Sequence, residues 1–202
     1  MTQLSEEIKI TIEGHVDIFE YESLDDVGDV NKAKSLIDKY NSIHAENMSL
    51  VIAKGLANKD DGSIYSMHFG TGGATIDPLG DIIYASPNVT GAADLNMPVY
   101  FEVVDSNKNA PEGNQMSVRH INGTLFSDVE VRCVIDKNEP WGQPSYDNIA
   151  DTNINDSTFV FDEIGLKNQD GLLLTHIVFS PIEKSANRII EIVYVLRVRL
   201  VE

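Results

Sequence analysis

A glycine cluster is the first feature of the sequence that suggests chemistry. Gly70, Gly72 and Gly73 follow an apolar run typical of a strand, which is where a phosphate-binding loop would lie. A dinucleotide fingerprint needs a third glycine at the right offset and a helix directly after it. Thr75 and then Asp77 stand there instead, and no lysine is placed as in a P-loop. The cluster therefore predicts a tight bend with unusual backbone angles, without a bound cofactor.

Acidic and amide residues with metal-ligand spacing form the next candidate. Asp105, Asn107 and Asn109 match the opening of a calcium loop. Ala110 stands where that loop needs glycine, and Met116 where it needs a bidentate glutamate. A second series matches the spacing less well: Asp151, Asn153, Asn155 and Asp162. We therefore predict no metal ligands and no cofactor, while a weak surface cation site remains an open alternative.

Nucleophiles and acid–base pairs are the third kind of chemistry to consider. Cys133 lies on the apolar side of an alternating segment, which predicts a small core residue. His68 and His176 lie among apolar residues of predicted strands, which favours buried core or interface histidines. Asp162 and Glu163 are adjacent, so in a regular strand they would point to opposite faces and could not act as a pair. These patterns predict that the protein is not an enzyme.

The charge balance bears on possible partners. The 202 residues carry a formal net charge of −17, and the 15 lysines and arginines form no compensating patch. Such a chain repels nucleic acid phosphates, so we expect no nucleic acid partner. No segment is long and apolar enough to predict a membrane span, and residues 1–12 lack the apolar run of a secretion signal. One cysteine excludes an internal disulfide framework and suits folding in the cytosol.

Hydrophobic periodicity predicts a mainly β protein with one small helical insertion. Residues 8–12 alternate as a strand that we expect Gly14 to end, followed by a return strand containing Val16 and Ile18. Residues 30–40 and 45–58 have helical spacing and form the predicted insertion at 30–58, with Asn58 as its stop. The remaining predicted strands are 63–69, 82–84, 100–104, 116–121, 129–135, 159–164, 172–180 and 188–201. The composition of Asp77-Pro-Leu-Gly80 predicts a turn before the second of these strands.

These elements predict one β-rich domain over residues 1–202, folded as an antiparallel β-sandwich (α+β by content). Residues 136–158 are polar and contain two prolines, which predicts a long loop. The last two predicted strands are separated by Pro181, which we expect to be the corner of a long hairpin. On the final strand, Arg197 and Arg199 lie opposite a fully apolar face. Their face is therefore expected to be covered in part by a neighbour or a partner chain.

Two segments, in this order, resemble a pattern found in virion proteins of tailed bacteriophages. The first is an apolar helix at 47–57 that leads into a strand ending in the glycine signature of residues 66–73. The second is Phe161-Asp-Glu-Ile-Gly-Leu166, followed by the apolar run 171–179, residues 180–184 and a long closing strand. Together they cover about half of the chain.

The resemblance implies a β-sandwich virion component of the neck, collar, tail or fibre attachment, or one that decorates the capsid. Its partners would be other copies of itself and other virion proteins, assembled in the host cytoplasm. In such a framework Gly70, Gly72 and Gly73 would bend the chain out of the sheet. Gly165 would let a strand turn before it re-enters the core.

A self-associating protein needs interface residues, and exposed aromatic side chains are the usual anchors. Trp141, beside Pro140 in the long polar loop, is the first candidate, although it could equally fold back over the edge of a sheet. Tyr146, Arg197 and Arg199 are the other candidates. The same loop residues also suit a carbohydrate- or receptor-binding module, which is the alternative function. A hydrolase would need converging carboxylates, and the sequence offers no such pair.

Overall fold

The structure is a computed structural model that describes residues 9–104, 115–137, 139 and 159–201. These residues form twelve strands and one α-helix. In chain order the elements are β1 (Lys9–Tyr21), β2 (Lys34–Tyr40), β3 (Ser42–Ile43), α1 (Ala45–Leu56), β4 (Ile64–Gly70), β5 (Ala74–Ile76), β6 (Ile82–Tyr84), β7 (Pro98–Val103), β8 (Met116–Asn122), β9 (Ser127–Ile135), β10 (Phe159–Asn168), β11 (Leu173–Lys184) and β12 (Ile189–Val201). Within these ranges no helix is long and apolar enough to cross a membrane.

Two five-stranded antiparallel sheets pack face to face, which confirms the predicted β-sandwich. Sheet I has the order β2-β1-β12-β9-β8, and sheet II has the order β3-β11-β10-β4-β7. The third, two-stranded sheet pairs β5 with β6, and we call it the arm. The inward side chains of both sheets form one core, in which Phe161 packs edge-on against Phe69 and Phe179 at centroid distances of 5.4 and 5.8 Å.

The closing strand illustrates how the sequence pattern builds the core. Ile190, Ile192, Tyr194 and Leu196 alternate along β12 and are buried, as the apolar face predicted. β12 occupies the centre of sheet I, between β1 and β9. It pairs with β1 from Ile189 through Val201.

The predicted break at Gly14 is wrong, because β1 continues as one strand to Tyr21 and pairs with β12 along its whole length. The side chain of Asn41 occupies the position that a Cβ at residue 14 would fill. Glycine there provides room for a neighbouring side chain and does not turn the chain.

The predicted helix at 30–40 is also wrong. Residues 34–40 form β2, an edge strand of sheet I that pairs with β1. The apolar spacing of Leu36 and Ile37 fits a helix, but the free edge of β1 offers backbone hydrogen bonds that outweigh this weak local preference. The second predicted helix is confirmed as α1, and Asn58 follows it with a left-handed φ of 53°. The insertion therefore contains one helix.

The predicted hairpin of the last two long strands is wrong as well. β11 lies in sheet II and β12 in sheet I, so the four residues between them carry the chain across the sandwich. Pro181 lies within β11, where the register against β10 shifts between Phe161 and Glu163. Proline, which lacks an N–H donor, is tolerated in such a bulge.

The predicted polar loop 136–158 lies outside the described residues except for residues 136, 137 and 139.

Candidate interaction arm and its buried anchor

The arm is a short hairpin that stands beside sheet II. Ala74 pairs with Tyr84 and Ile76 with Ile82, so these four side chains share one face. The connecting turn contains Asp77, whose carboxylate accepts hydrogen bonds from the amides of residues 79 and 81 at 2.8 and 2.9 Å. Gly80 has a left-handed φ of 93°, so the predicted Asp-Pro-Leu-Gly turn is confirmed.

The arm exposes an unusual amount of apolar surface. The exposed fractions of its large apolar residues are 74% for Ile76, 87% for Leu79, 44% for Ile82, 54% for Ile83 and 45% for Tyr84. Ile76, Ile82 and Tyr84 lie on the same face of the arm, and exposed apolar side chains grouped in this way are typical of an interaction site. An isolated two-stranded hairpin is also marginally stable in water, so this arm needs support from the rest of the molecule.

Asp162 supplies the first part of that support at the root of the arm. Its side chain is buried and accepts hydrogen bonds from the amides of Gly73 at 2.7 Å and Ala74 at 3.0 Å. Burial raises the pKa of Asp162, the two amides oppose this effect, and the neighbouring Glu163 adds to it. The carboxylate therefore holds the first residues of the arm against β10.

Glu163 supplies the second part and has no exposed surface. Its carboxylate accepts from the amides of Gly72 (3.3 Å), Asn96 (3.0 Å) and Met97 (2.7 Å), and from the side-chain amide of Asn96 (2.8 Å). His176 Nε2 is its fifth partner, at 3.0 Å. Burial acts to raise the pKa of Glu163, but the hydrogen bonds from His176, Met97 and Asn96 outweigh it and hold the pKa below its ordinary value.

The hydrogen bonds of His176 define its tautomer. The amide of Asn88 donates to Nδ1 at 2.8 Å, so Nδ1 is an acceptor and Nε2 carries the proton that is donated to Glu163. The imidazole has no exposed surface, which confirms the prediction of a buried histidine. His68 is partly buried, stacks on Phe101 at 5.3 Å between ring centroids, and has a pKa that burial lowers to about 4.

Strict alternation along β10 would place Asp162 and Glu163 on opposite faces, and this prediction is wrong. The bulge between β10 and β11 lets both carboxylates reach the same glycine segment. Each carboxylate is already an acceptor for backbone amides. The pair therefore positions the arm, with its oxygens directed at the chain's own N–H groups.

The glycines of this segment are needed for close approach. A Cβ at Gly72 would lie 2.5 Å from the Cβ of Asn96, and one at Gly73 would lie 2.5 Å from the carbonyl oxygen of Asp162. Gly70 faces the Glu163 carboxylate in the same way. None of the three has a left-handed φ, so the unusual backbone angles expected from the sequence are not the reason for them. The chain does leave sheet II here, because β4 ends at Gly70.

Gly165 has a related role and does not form a turn. It lies in the middle of β10, paired with His68 on one side and His176 on the other. A Cβ there would lie 2.6 Å from Leu173 Cδ1 and 2.8 Å from the carbonyl oxygen of Thr175. The expected turn before Leu166 is therefore wrong, since the strand continues through it.

The predicted interface residues divide into two groups. Pro140, Trp141 and Tyr146 lie outside the described residues. Arg197 makes a bidentate ion pair with Asp128 at 2.8 and 2.7 Å, and its guanidinium lies 3.9 Å from the ring centroid of Phe126. Arg199 pairs with Glu13 at 3.3 Å.

A shallow cavity of about 440 Å³ adjoins Arg199 and is lined by Thr124, Leu125, Phe126 and Leu200. The exposed fractions of Leu125 and Leu200 are 84% and 68%.

A second titratable cluster lies inside the sandwich and was not visible in the sequence. Glu102 is 4% exposed, accepts from the Tyr100 hydroxyl, and has a pKa that burial raises to about 7 against the effect of that hydrogen bond. Lys184 has no exposed surface and donates to the carbonyl oxygens of Glu139 at 2.8 Å and Ser185 at 3.2 Å. Burial lowers its pKa to about 8. Cys133 is buried as predicted, and burial raises the pKa of its thiol.

Comparisons of the chain with known protein families, with curated proteins and with solved structures found no match. A function for this chain is therefore inferred from its fold and from the geometry of the arm.

Proposed function

We propose that this protein is a non-enzymatic structural subunit that associates with other copies of itself through the arm. The observation that carries the proposal is the exposed apolar surface of Ile76, Leu79, Ile82, Ile83 and Tyr84. The root of the arm is held by Asp162 and Glu163, so the surface is ordered before any partner binds. Such preorganisation reduces the entropy that association costs.

A second copy of the chain is the partner that this surface fits best. Ile76 and Ile82 lie directly opposite each other on one face of the arm. Two arms related by a twofold axis would bring these side chains together in a self-complementary contact. The formal net charge of −17 means that copies repel at long range, so a short-range apolar contact must provide the attraction. Association should therefore strengthen as salt screens the repulsion.

The virion of a tailed bacteriophage is the assembly in which we place this subunit, at the neck, the tail or the capsid surface, docked on other virion proteins. The support is the sequence resemblance, together with the location of its two segments. Three strands of those segments, β4, β10 and β11, are direct neighbours in sheet II, and the closing strand β12 lies in sheet I. The helix α1 of the first segment packs against β11 of the second. Apart from β12, the resembling residues thus lie together in sheet II and the helix beside it.

The test is the mass of the purified protein in solution, measured by light scattering over a range of protein and salt concentrations. We expect a defined oligomer for the wild type and a monomer for the double variant Ile76→Ser/Ile82→Ser. Both residues are exposed, so the variant should keep its fold, which circular dichroism would check. The matched control, Leu125→Ser/Leu200→Ser, removes two exposed apolar residues away from the arm and should keep the oligomer. A monomeric wild type, or an arm variant with unchanged mass, contradicts the proposal.

A carbohydrate- or receptor-binding module is the second candidate, and one cleft favours it. The cleft has a volume of about 240 Å³ and is lined in part by Lys39, Tyr40 and Tyr84. The two tyrosines are 75% and 45% exposed, and Lys39 Nζ lies 5.4 Å from the ring centroid of Tyr84. Exposed aromatic rings beside polar groups suit the apolar faces of sugars. A glycan array with the wild type and Tyr40→Ala would test it, since specific binding that the variant loses would favour this candidate.

A further inference from the structure

The outward face of sheet I carries a regular set of ion pairs. Acidic residues on its strands are matched with arginines on the same face. The pairs are Glu13 with Arg199 (3.3 Å), Asp128 with Arg197 (2.7 Å), Glu130 with Arg119 (2.7 Å) and Glu191 with Arg132 (2.9 Å). Each of these four carboxylates is therefore neutralised by an arginine on the same face.

One position on the same face departs from this pattern. Asp17 on β1 and Asp38 on β2 are direct partners in the register of the two strands. Within the described part of the chain, neither carboxylate has an arginine or lysine within ion-pair distance. Like charges directly opposite each other on paired strands are destabilising. The nearest lysine in sequence, Lys39, extends towards sheet II, where it donates to the carbonyl oxygen of Val178 at 2.8 Å.

The group that these two carboxylates share is the imidazole of His15. His15 lies two residues before Asp17, so both point to the same side of β1. Its Nε2 lies 2.8 Å from Asp38 Oδ1, and its Nδ1 lies 3.4 Å from Asp17 Oδ2. One nitrogen or oxygen atom from each of the three side chains falls within 4.8 Å of the other two. Burial raises the pKa of Asp17, His15 opposes this, and Asp38 adds to it.

We propose that His15, Asp17 and Asp38 bind a divalent transition-metal cation of the zinc class on the outward face of sheet I. One imidazole nitrogen and two carboxylate oxygens are ligands that zinc accepts, with a fourth position left for water. Calcium and magnesium prefer an all-oxygen site, so the imidazole disfavours them. The bound cation would neutralise the facing carboxylates, which is what the arginines do elsewhere on this face.

The site is accessible without rearrangement of the core. The side chains of His15, Asp17 and Asp38 are 30%, 28% and 74% exposed. Val16 and Ile18, which alternate with the first two, are buried and fix the direction in which the ligands point. The ligands therefore lie on a rigid strand pair, and binding needs only side-chain rotation.

The test is titration of metal-free protein with Co²⁺ and Zn²⁺, followed by visible absorption for Co²⁺ and by calorimetry for Zn²⁺. We expect one ion per chain, a Co²⁺ spectrum typical of four- or five-coordination, and no comparable binding of Ca²⁺. The variants Asp38→Asn and His15→Gln should weaken binding by about tenfold or more. The matched controls Asp60→Asn and His120→Gln change exposed residues elsewhere and should bind as the wild type does.

Two outcomes would overturn the site: no stoichiometric binding to the wild type, or unchanged affinity in both ligand variants. Asp38 is mostly exposed, so Asp38→Asn should fold, and in the presence of a chelator it should unfold at the wild-type temperature or slightly above it, because the change removes the repulsion from Asp17. The site does not depend on self-association. The arm variant Ile76→Ser/Ile82→Ser should bind metal as the wild type does, so a failure of either proposal can be recognised by itself.

Discussion

Glu163 and His176 form a buried pair beneath the segment that connects the arm to β7, with Nε2 of the imidazole 3.0 Å from Oε2 of the carboxylate and no exposed surface on either side chain. The two residues come from neighbouring strands, β10 and β11. Their pair links sheet II to the loop residues Asn88, Asn96 and Met97, and to Gly72 at the root of the arm. One carboxylate thus organises a surface loop and a candidate interface together.

Replacing Glu163 should therefore cost much of the stability of the protein. Glu163→Ala leaves the amides of Gly72, Asn96 and Met97, as well as His176, without their acceptor. Loss of one partner from a buried charged network costs about 3–5 kcal/mol. Urea unfolding followed by circular dichroism would measure the free energy of unfolding. Glu163→Gln, which keeps one acceptor oxygen, should lie between the alanine variant and the wild type.

The control for this prediction is Glu183→Gln, which changes an exposed glutamate on β11. Its effect should stay within about 0.5 kcal/mol. If Glu163→Ala unfolds at the same urea concentration as this control, the hydrogen bonds of Glu163 do not stabilise the fold.

Glu102 should impose a distinct pH dependence on stability. Its pKa is raised to about 7 in the folded protein, so between its ordinary value and pH 7 the folded state binds a proton that the unfolded state does not. By linkage, stability falls as pH rises through this window, by on the order of 3 kcal/mol. Glu102→Gln removes this contribution. The variant should therefore gain stability relative to the wild type between pH 5 and pH 8.

Measuring the difference between variant and wild type is essential here, because His68 acts in the opposite sense. Its pKa is lowered to about 4, so its contribution is lost as pH falls below its ordinary value. In the wild type, the effects of Glu102 and His68 on the pH dependence of stability oppose each other, whereas in Glu102→Gln only the effect of His68 remains. A stability difference that is the same at pH 5 and pH 8 would show that Glu102 titrates normally.

Gly165→Ala should destabilise the protein by steric conflict. The added Cβ would lie 2.6 Å from Leu173 Cδ1 and 2.8 Å from a backbone oxygen, and overpacking of this kind costs about 1–3 kcal/mol. Gly80→Ala is the comparison, since nothing lies within 4 Å of its Cβ position and only its left-handed φ opposes the change. That variant should lose about 1 kcal/mol.

A double-mutant cycle would identify the cause. If the conflict is with the Leu173 side chain, Gly165→Ala/Leu173→Ala should lose less stability than the sum of the two single changes. Strict additivity, measured by urea unfolding, would mean that the contact with Leu173 is not the source of the cost.

The local hydrophobic pattern was sufficient to predict those strands and helices that bury one face of their own side chains. The alternation of β9 and β12 and the apolar stripe of α1 are visible in the sequence because each segment buries one face. β2 could not be found in this way, since it is a strand only because β1 offers it an edge. Assignment of β11 and β12 to different sheets depends on long-range pairing, which a turn signal such as Pro181 does not encode.

The candidate sites were harder to predict for the same reason. At the root of the arm, Gly72 donates a hydrogen bond to Glu163, and in the proposed metal site Asp17 lies opposite Asp38. In each case the partners are far apart in sequence, and only the strand register or a bulge brings them together. The arm was predicted only in part, because its turn and β6 were predicted while β5 was not. Nothing in the sequence marked its apolar residues as exposed.

The central position of β12 also determines when the protein can fold during synthesis. Lys9 pairs with Val201, and the other neighbour of β12, β9, likewise waits for it. On the ribosome, β1 therefore remains without this partner until residues 189–201 have emerged, and loop closure over such a sequence distance is slow. Sheet I should consequently be completed only after β12 has been synthesised, and a chain stopped before residue 189 should expose the apolar faces of β1 and β9 to chaperones and proteases.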